Sequence, residues 1–160
     1  MTLWTDYEVD VPSGIDFTVL GRAASKGSMK MLPVRNKTSG RTRVVVVDSN
    51  KQVKPWSSQV ADAALRALNT QPMWRGPVAV SLTFFFTRPK GHYGTGRNAH
   101  TLRDSAPGAI VTKPDIDKLA RCVLDALTGV AFHDDAQVTV LNLHKLYGEP
   151  ERLEARVTGL

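Results

Sequence analysis

The stretch that most limits what this chain can fold into is Lys113 to Val138, KPDIDKLARCVLDALTGVAFHDDAQV, where a helical apolar pattern meets a concentration of acids. Ile116, Leu119, Ala120, Val123, Leu124 and Leu127 recur at helical spacing and predict a helix from about Asp115 to Leu127 with one buried stripe. Asp115, directly after Pro114, is placed as an N-cap because a carboxylate can accept the free amides of the first turn. Asp117, Arg121 and Asp125 follow at i, i+4 and i+8 as a polar ridge, on which Asp125 reads as the partner of Arg121. Thr128 and Gly129 end the helix, Val130-Ala131-Phe132 return to the core, and His133-Asp134-Asp135 open a strand beginning near Gln137. Acids at a helix start and at a strand start can therefore meet.

Around that stretch the chain alternates strands and one further helix. Val78 to Thr87, VAVSLTFFFT, is dominated by β-branched and aromatic residues and bounded by Pro77 and Pro89, so it predicts a central strand. Ile15–Leu20, Arg41–Asp48 and Gln137–Tyr147 read as further strands, with Leu153–Val157 as a short closing one. From Pro55 to about Asn69, the residues Trp56, Val60, Ala63, Ala64, Leu65 and Leu68 give a second helical stripe, a packing helix with no chemistry assigned. Gly21–Lys37 and Arg88–Thr112 read as basic loops, the latter long enough to be functional or disordered. The sum is an α/β (α+β) fold: one domain over 15–160, a mixed β-sheet packed against two main helices, after an acidic extension over 1–14. A chain of 160 residues can bury about 70% of its unfolded surface without a staple.

The formal net charge is +6, and its distribution says more than its size. Nine bases from Arg22 to Lys54 face one acid, Asp48, whereas Met1 to Leu20 holds four acids and no base. Such clustering points to a polyanionic partner. The lone Cys122 excludes an internal disulfide, and the scattered histidines show no zinc spacing; His133, beside the acid pair, reads as a surface residue. No apolar run approaches the ~20 residues of a membrane span, and acids stand where a signal peptide has bases, so a soluble, cytoplasmic protein with no membrane partner is expected.

Gly91 to Asn98, GHYGTGRN, has the glycine spacing of a phosphate-binding loop but lacks its Lys-Ser/Thr and a following amphipathic helix, which argues against a nucleotide triphosphate partner. Tyr93 in that stretch can stack on an unpaired base or be incidental to a flexible loop. Aspartates gather at helix starts for the dipole alone, and a loop Asp-Asp pair can be merely solvated. Capping, however, needs one acid, whereas a hard divalent cation needs several converging oxygens. Carboxylates so gathered repel, and without metal at least one pKa should rise or the loop loosen.

DIDKLARCVLDAL, a short apolar link and DDAQV together resemble the RusA-type Holliday-junction resolvases, structure-selective endodeoxyribonucleases often encoded by phages and prophages. The resemblance covers roughly Ile15 to Val157 and is strongest over Lys113 to Tyr147. It implies Mg²⁺, with Mn²⁺ as a substitute, held by Asp115, Asp117 and Asp135, and Arg121 as a further catalytic residue. It also implies branched DNA as partner, above all four-way junctions, resolved by paired phosphodiester hydrolysis in a two-fold homodimer. The sequence does not identify the dimer surface; the apolar Val44–Val47 strand is only a candidate for it. The family usually has lysine where this chain has Arg121, and asparagine where it has Lys118; arginine stays protonated, so its role is electrostatic.

Candidate DNA contacts are Lys26, Lys30, Arg88, Lys90, Tyr93, Arg97, Lys113, Lys118 and Lys145, each with an ordinary solvated or structural alternative. The residues also leave open a non-catalytic DNA-binding protein, or a magnesium-dependent nuclease acting on another branched or single-stranded nucleic acid.

Overall fold

The computed structural model describes residues 14–27 and 29–160, and only the backbone at positions 29, 47 and 48. The expected extension over 1–14 lies, apart from Gly14, outside the described residues. In chain order the elements are β1 (Gly14–Leu20), β2 (Met29–Arg35), β3 (Thr42–Asp48), α1 (Val53–Leu68), β4 (Val78–Phe86), α2 (Ile116–Leu127), β5 (Val138–Tyr147) and β6 (Arg152–Gly159). Among the described residues four strands form the main sheet, in the order β1-β6-β4-β5. β6 is antiparallel to both neighbours and β5 is parallel to β4, so the sheet is mixed, with α1 and α2 packed together against it.

β4 lies inside the sheet because its sequence suits burial along its whole length. Val78, Val80, Leu82, Phe84 and Phe86 are buried, and the alternate residues are half-buried. At roughly 1.5–3 kcal/mol for each fully buried large apolar side chain, these five anchor the sheet to the helices. The α2 stripe is wider than its periodicity predicts: Leu119, Ala120, Cys122, Val123, Ala126 and Leu127 are buried. In α1 the i, i+4 series Trp56, Val60, Ala64 and Leu68 faces the core, while Leu65, expected in the stripe, is 60% exposed.

Two loop and strand expectations need correction. Within the expected Gly21–Lys37 loop, Met29–Arg35 forms β2 and pairs with β3, closed by a turn in which Asn36 Oδ1 accepts from the amides of Thr38 (2.8 Å) and Ser39 (3.1 Å). Pro33 disguises the strand in the sequence, and a ribbon with no third strand paired to it among the described residues tolerates it. β6, expected as a short closing strand, spans eight residues and sits between β1 and β4. Its outward residues Arg152, Glu154 and Arg156 mask that interior position, since only Leu153, Ala155 and Val157 point to the core.

The Arg88–Thr112 segment is ordered by its own hydrogen bonds. Arg103 Nε donates to the Tyr93 carbonyl (2.7 Å), the Gly94 amide to Thr101 (2.9 Å), and Tyr93 bridges Leu102. A side chain at Gly94 would meet Asn98 O at 2.6 Å, and Gly96 has φ +59°, so these glycines serve a tight turn. No helix among the described residues is long and apolar enough to cross a membrane.

Because β4 and β5 are parallel, the chain must cross over between them, and α2 is that crossover. The head of α2 therefore lies at the C-terminal ends of β4 and β5, and its tail at their starts. Contacts at both ends agree. Lys145 Nζ, late in β5, donates to the carbonyls of Thr112 (2.8 Å) and Pro114 (2.9 Å), just before α2. After α2, the Ala131 carbonyl accepts from the amide of Trp74, which precedes β4 (2.9 Å).

Candidate active site

Asp115 occupies the N-cap position with extended backbone, but its side chain caps nothing. Instead Lys118 Nζ lies 2.9 Å from Asp115 Oδ2, an i,i+3 ion pair that replaces the expected contact with first-turn amides. The hydrogen bond from Lys118, then that ammonium's charge, lowers the Asp115 pKa from its ordinary 3.8; partial desolvation opposes the shift, and Lys113 and Lys145 reinforce it. The expected rise of a crowded carboxylate does not occur at this position. Reciprocally, the Asp115 hydrogen bond and charge raise Lys118 from 10.5.

The depressed Asp115 contributes stability above its unfolded pKa and loses it as pH falls through the folded value. The raised Lys118 contributes below its unfolded pKa and loses this as pH climbs through its folded value. The pair is therefore intact at neutral pH. Lys118→Met is expected to move the Asp115 titration back up toward 3.8, read by carboxyl-carbon NMR. An unmoved titration would remove Lys118 as the cause.

Asp117 follows in the first turn of α2, exposed, with no hydrogen bond or ion pair of its own among the described residues. Arg121 is exposed one turn on and has no ion pair among the described residues. Its expected partner, Asp125, is paired with Lys26 instead. The 21–27 segment runs alongside α2, with the Lys26 amide 3.3 Å from the Lys118 carbonyl, and so delivers the lysine to Asp125. Since no bidentate pair engages Arg121, charge is the property it shares with lysine. With the electrostatic role that the resemblance implies for it, Arg121→Lys is expected to keep turnover within a factor of about 3, under 1 kcal/mol of barrier. A collapse in the cleavage assay would assign the role to guanidinium geometry.

The two acids before β5 divide their work. Asp134 caps the short turn Asp135–Gln137, its Oδ1 accepting from the Ala136 amide (2.8 Å), while Gln137 Oε1 accepts from the amides of His133 (2.9 Å) and Asp134 (3.1 Å). Asp135 is exposed, and its carboxylate has no such partner among the described residues. Gln137 Nε2 ties this turn to the carbonyls of Trp74 (3.0 Å) and Gly76 (2.8 Å), just before β4. Asp135 thus sits at the starts of the parallel strands, opposite the end that holds Asp115 and Asp117.

From Val138 to Lys145 the extended strand between those ends covers roughly 23 Å at 3.3 Å per residue. Among the described residues no three His, Cys, Asp or Glu side chains form a group able to hold a metal ion. A single chain therefore does not gather Asp115, Asp117 and Asp135 into the expected cage.

Beside Asp115 runs a groove of about 730 Å³ lined by Arg22, Lys26, Lys113 and Lys118, with Trp56 and Gln59 of α1 on its wall. The sequence assigns α1 no chemistry, and two residues within a packing helix carry no signal that would have placed them there. Arg22, one of the nine clustered bases but not among the candidate DNA contacts, pairs with Glu151 at 2.9 Å. Several candidate DNA contacts have structural duties. Lys26 and Lys118 hold acids, Lys145 clamps the turn before α2, and Arg88 donates to the Pro107 carbonyl (2.8 Å) while stacking on Tyr147 (3.9 Å). Lys30, Lys90, Arg97 and Lys113 are exposed, and Tyr93 is half-buried where its loop closes on Leu102.

A mixed sheet whose crossover helix begins with acids beside a basic groove belongs to the class of proteins equipped to handle a polyanion. The sequence model described as Endodeoxyribonuclease RusA matches residues 32–158, and the chain belongs to that family of nucleases. It is also 27% identical over 146 residues to the uncharacterized protein YqaN of Bacillus subtilis (strain 168), a match spanning 89% of this chain and 94% of that protein.

Proposed function

We propose that this protein is a magnesium-dependent, structure-selective endodeoxyribonuclease that resolves four-way DNA junctions by paired phosphodiester hydrolysis, acting as a homodimer. The observation that carries the reading is the placement of Asp115 and Asp117 at the head of α2, beside a groove lined by bases, in a member of the RusA family. Lys113 and the exposed lysines and arginines bind phosphates by charge, with affinity that falls steeply with salt and carries no sequence information. Branch shape then supplies the selectivity. Arg121 adds positive charge where negative charge develops on the phosphoryl group.

Carboxylates suit Mg²⁺, and Mn²⁺ is expected to substitute. A bound ion supplies Lewis-acid stabilisation and a water of lowered pKa. The test uses labelled four-way junction, plain duplex and flap DNA, each with Mg²⁺ and then with EDTA. Symmetric junction cuts that EDTA abolishes are the expected result. Binding without cuts would identify a non-catalytic DNA-binding protein, and preferential cutting of flaps or single strands a nuclease with another substrate.

A further inference from the structure

β2 and β3 form an antiparallel ribbon whose principal contacts are between its own two strands, and among the described residues it gives no side chain to the hydrophobic core. Yet the ribbon is apolar. Met31 is 76% exposed, Val44 63%, Val46 52%, Leu32 47% and Val34 42%, a patch of the kind that marks an interaction site. By register Met31 lies opposite Val46 and Pro33 opposite Val44, so these four share one face, and Arg35 opposite Thr42 extends it toward the tip. Between Met29 and Asp48 stand five bases, Lys30, Arg35, Lys37, Arg41 and Arg43, and one acid, Asp48. Lys30, Lys37, Arg41 and Arg43 are exposed and make no ion pair among the described residues. The tip is held by its own bonds, from the Asn36 amide to the Arg41 carbonyl (2.8 Å) and from the Gly40 amide to the Asn36 carbonyl (2.9 Å).

The root of the ribbon stands on the basic groove beside Asp115. Gly27, before β2, and Asn50, after β3, both line that groove, and Asn50 Nδ2 donates to the Ser25 carbonyl (2.8 Å), which ties the two entering segments together. A DNA strand lying in the protein's groove therefore passes the root of the ribbon.

We propose that the β2–β3 ribbon is a DNA-binding arm that enters the major groove of the duplex next to the cleavage site. The face of Met31, Pro33, Val44 and Val46 lies against base edges, and Lys37, Arg41 and Arg43 reach phosphates on the groove walls. The inference rests on DNA as the substrate under the proposed function. Size selects the groove: a two-stranded ribbon fits the major groove, about 12 Å wide, and not the minor groove, about 6 Å wide. Seven residues in each strand cover roughly 20 Å, or about six base pairs at 3.4 Å each. Thymine methyl groups in the major groove give the apolar face its contacts. Charge disfavours a second copy as the cover, because two such ribbons face to face bring like charges together. Pro33 and the flanking bases also blunt strand-to-strand pairing along the ribbon's edges.

The test uses two variants of the full chain, one combining Lys37→Ala, Arg41→Ala and Arg43→Ala, the other Met31→Ser with Val44→Ser. All five positions are exposed, and the thermal midpoint checks that both variants fold. Losing three phosphate contacts is expected to flatten the slope of log affinity against log salt by about 3. The serine pair is expected to weaken junction binding about 10-fold or more with the slope unchanged, since apolar contacts release no counterions. Dimethyl sulfate adds a readout of the groove, because guanine N7 faces the major groove and adenine N3 the minor. The unmodified protein is expected to protect guanine N7 in the arm beside the branch, and the triple variant to lose that protection.

Protection of adenine N3 instead would overturn the major-groove placement. Unchanged affinity, slope and protection in both variants would overturn the arm while leaving cleavage by the unmodified protein, and so the proposed function, standing. A solution mass that halves in the serine pair, with DNA protection unaltered, would give the ribbon to a second copy and overturn the inference. If the unmodified protein binds no DNA in a gel shift, the proposed function falls first and this inference with it.

Discussion

Asp117→Asn is expected to bind a four-way junction as tightly as the unmodified protein and to cut it at least about 100-fold more slowly, the scale on which one preorganised electrostatic group contributes to catalysis. The side chain is exposed in the first turn of α2 and has no hydrogen-bond or ion-pair partner among the described residues, so its loss disturbs no packing. Removing its charge from a helix N-terminus costs only about 0.3–1 kcal/mol of stability. Gel-shift affinity, thermal midpoint and cleavage rate measured together separate these effects. Near-normal turnover would sink the catalytic role of Asp117. Asp115→Asn is a less clean test, because it also breaks the pair with Lys118.

The largest expected change in stability comes from Phe132→Ala, at about 3–5 kcal/mol. Phe132 is fully buried, bridges both Thr128 and Trp74, and its carbonyl accepts from the Gly129 amide at 2.7 Å. It pins the link between the tail of α2 and the turn bearing Asp135 to the start of β4. A domain of this kind is typically stable by only about 5–15 kcal/mol, so the loss is a large share of the total. Denaturant unfolding should show a lower midpoint with an unchanged slope. Leu65→Ala, at a position 60% exposed, is the control and should shift stability by no more than about 0.5 kcal/mol. Equal effects from the two substitutions would show that Phe132 does not anchor the crossover.

Much of the fold is legible along the chain, because burial imposes a local period. The stripe from Leu119 to Leu127 marks α2, and the apolar density of β4 marks an interior strand, since in each case the pattern depends only on near neighbours in sequence. β2 is not legible, because Pro33 hides it and only pairing with β3 makes it a strand. The interior place of β6 is hidden too: lateral position in a sheet is decided by hydrogen bonds to β1 and β4, which leave no period in its own residues. Among the bases, charge reads as a phosphate contact until the fold supplies a partner, as Asp125 does for Lys26 and the Thr112 and Pro114 carbonyls do for Lys145.

The sequence by itself determined which residues are acids, which bases cluster, and that the helix carrying Asp115 and Asp117 leads to a strand preceded by Asp135. Where those carboxylates stand relative to one another was decided only by the tertiary structure. The parallel pairing of β4 with β5 makes α2 cross the whole length of the sheet, so residues twenty positions apart in the chain finish at its two ends. Spacing along a chain reports local geometry, whereas the direction of a strand is chosen by partners distant in sequence.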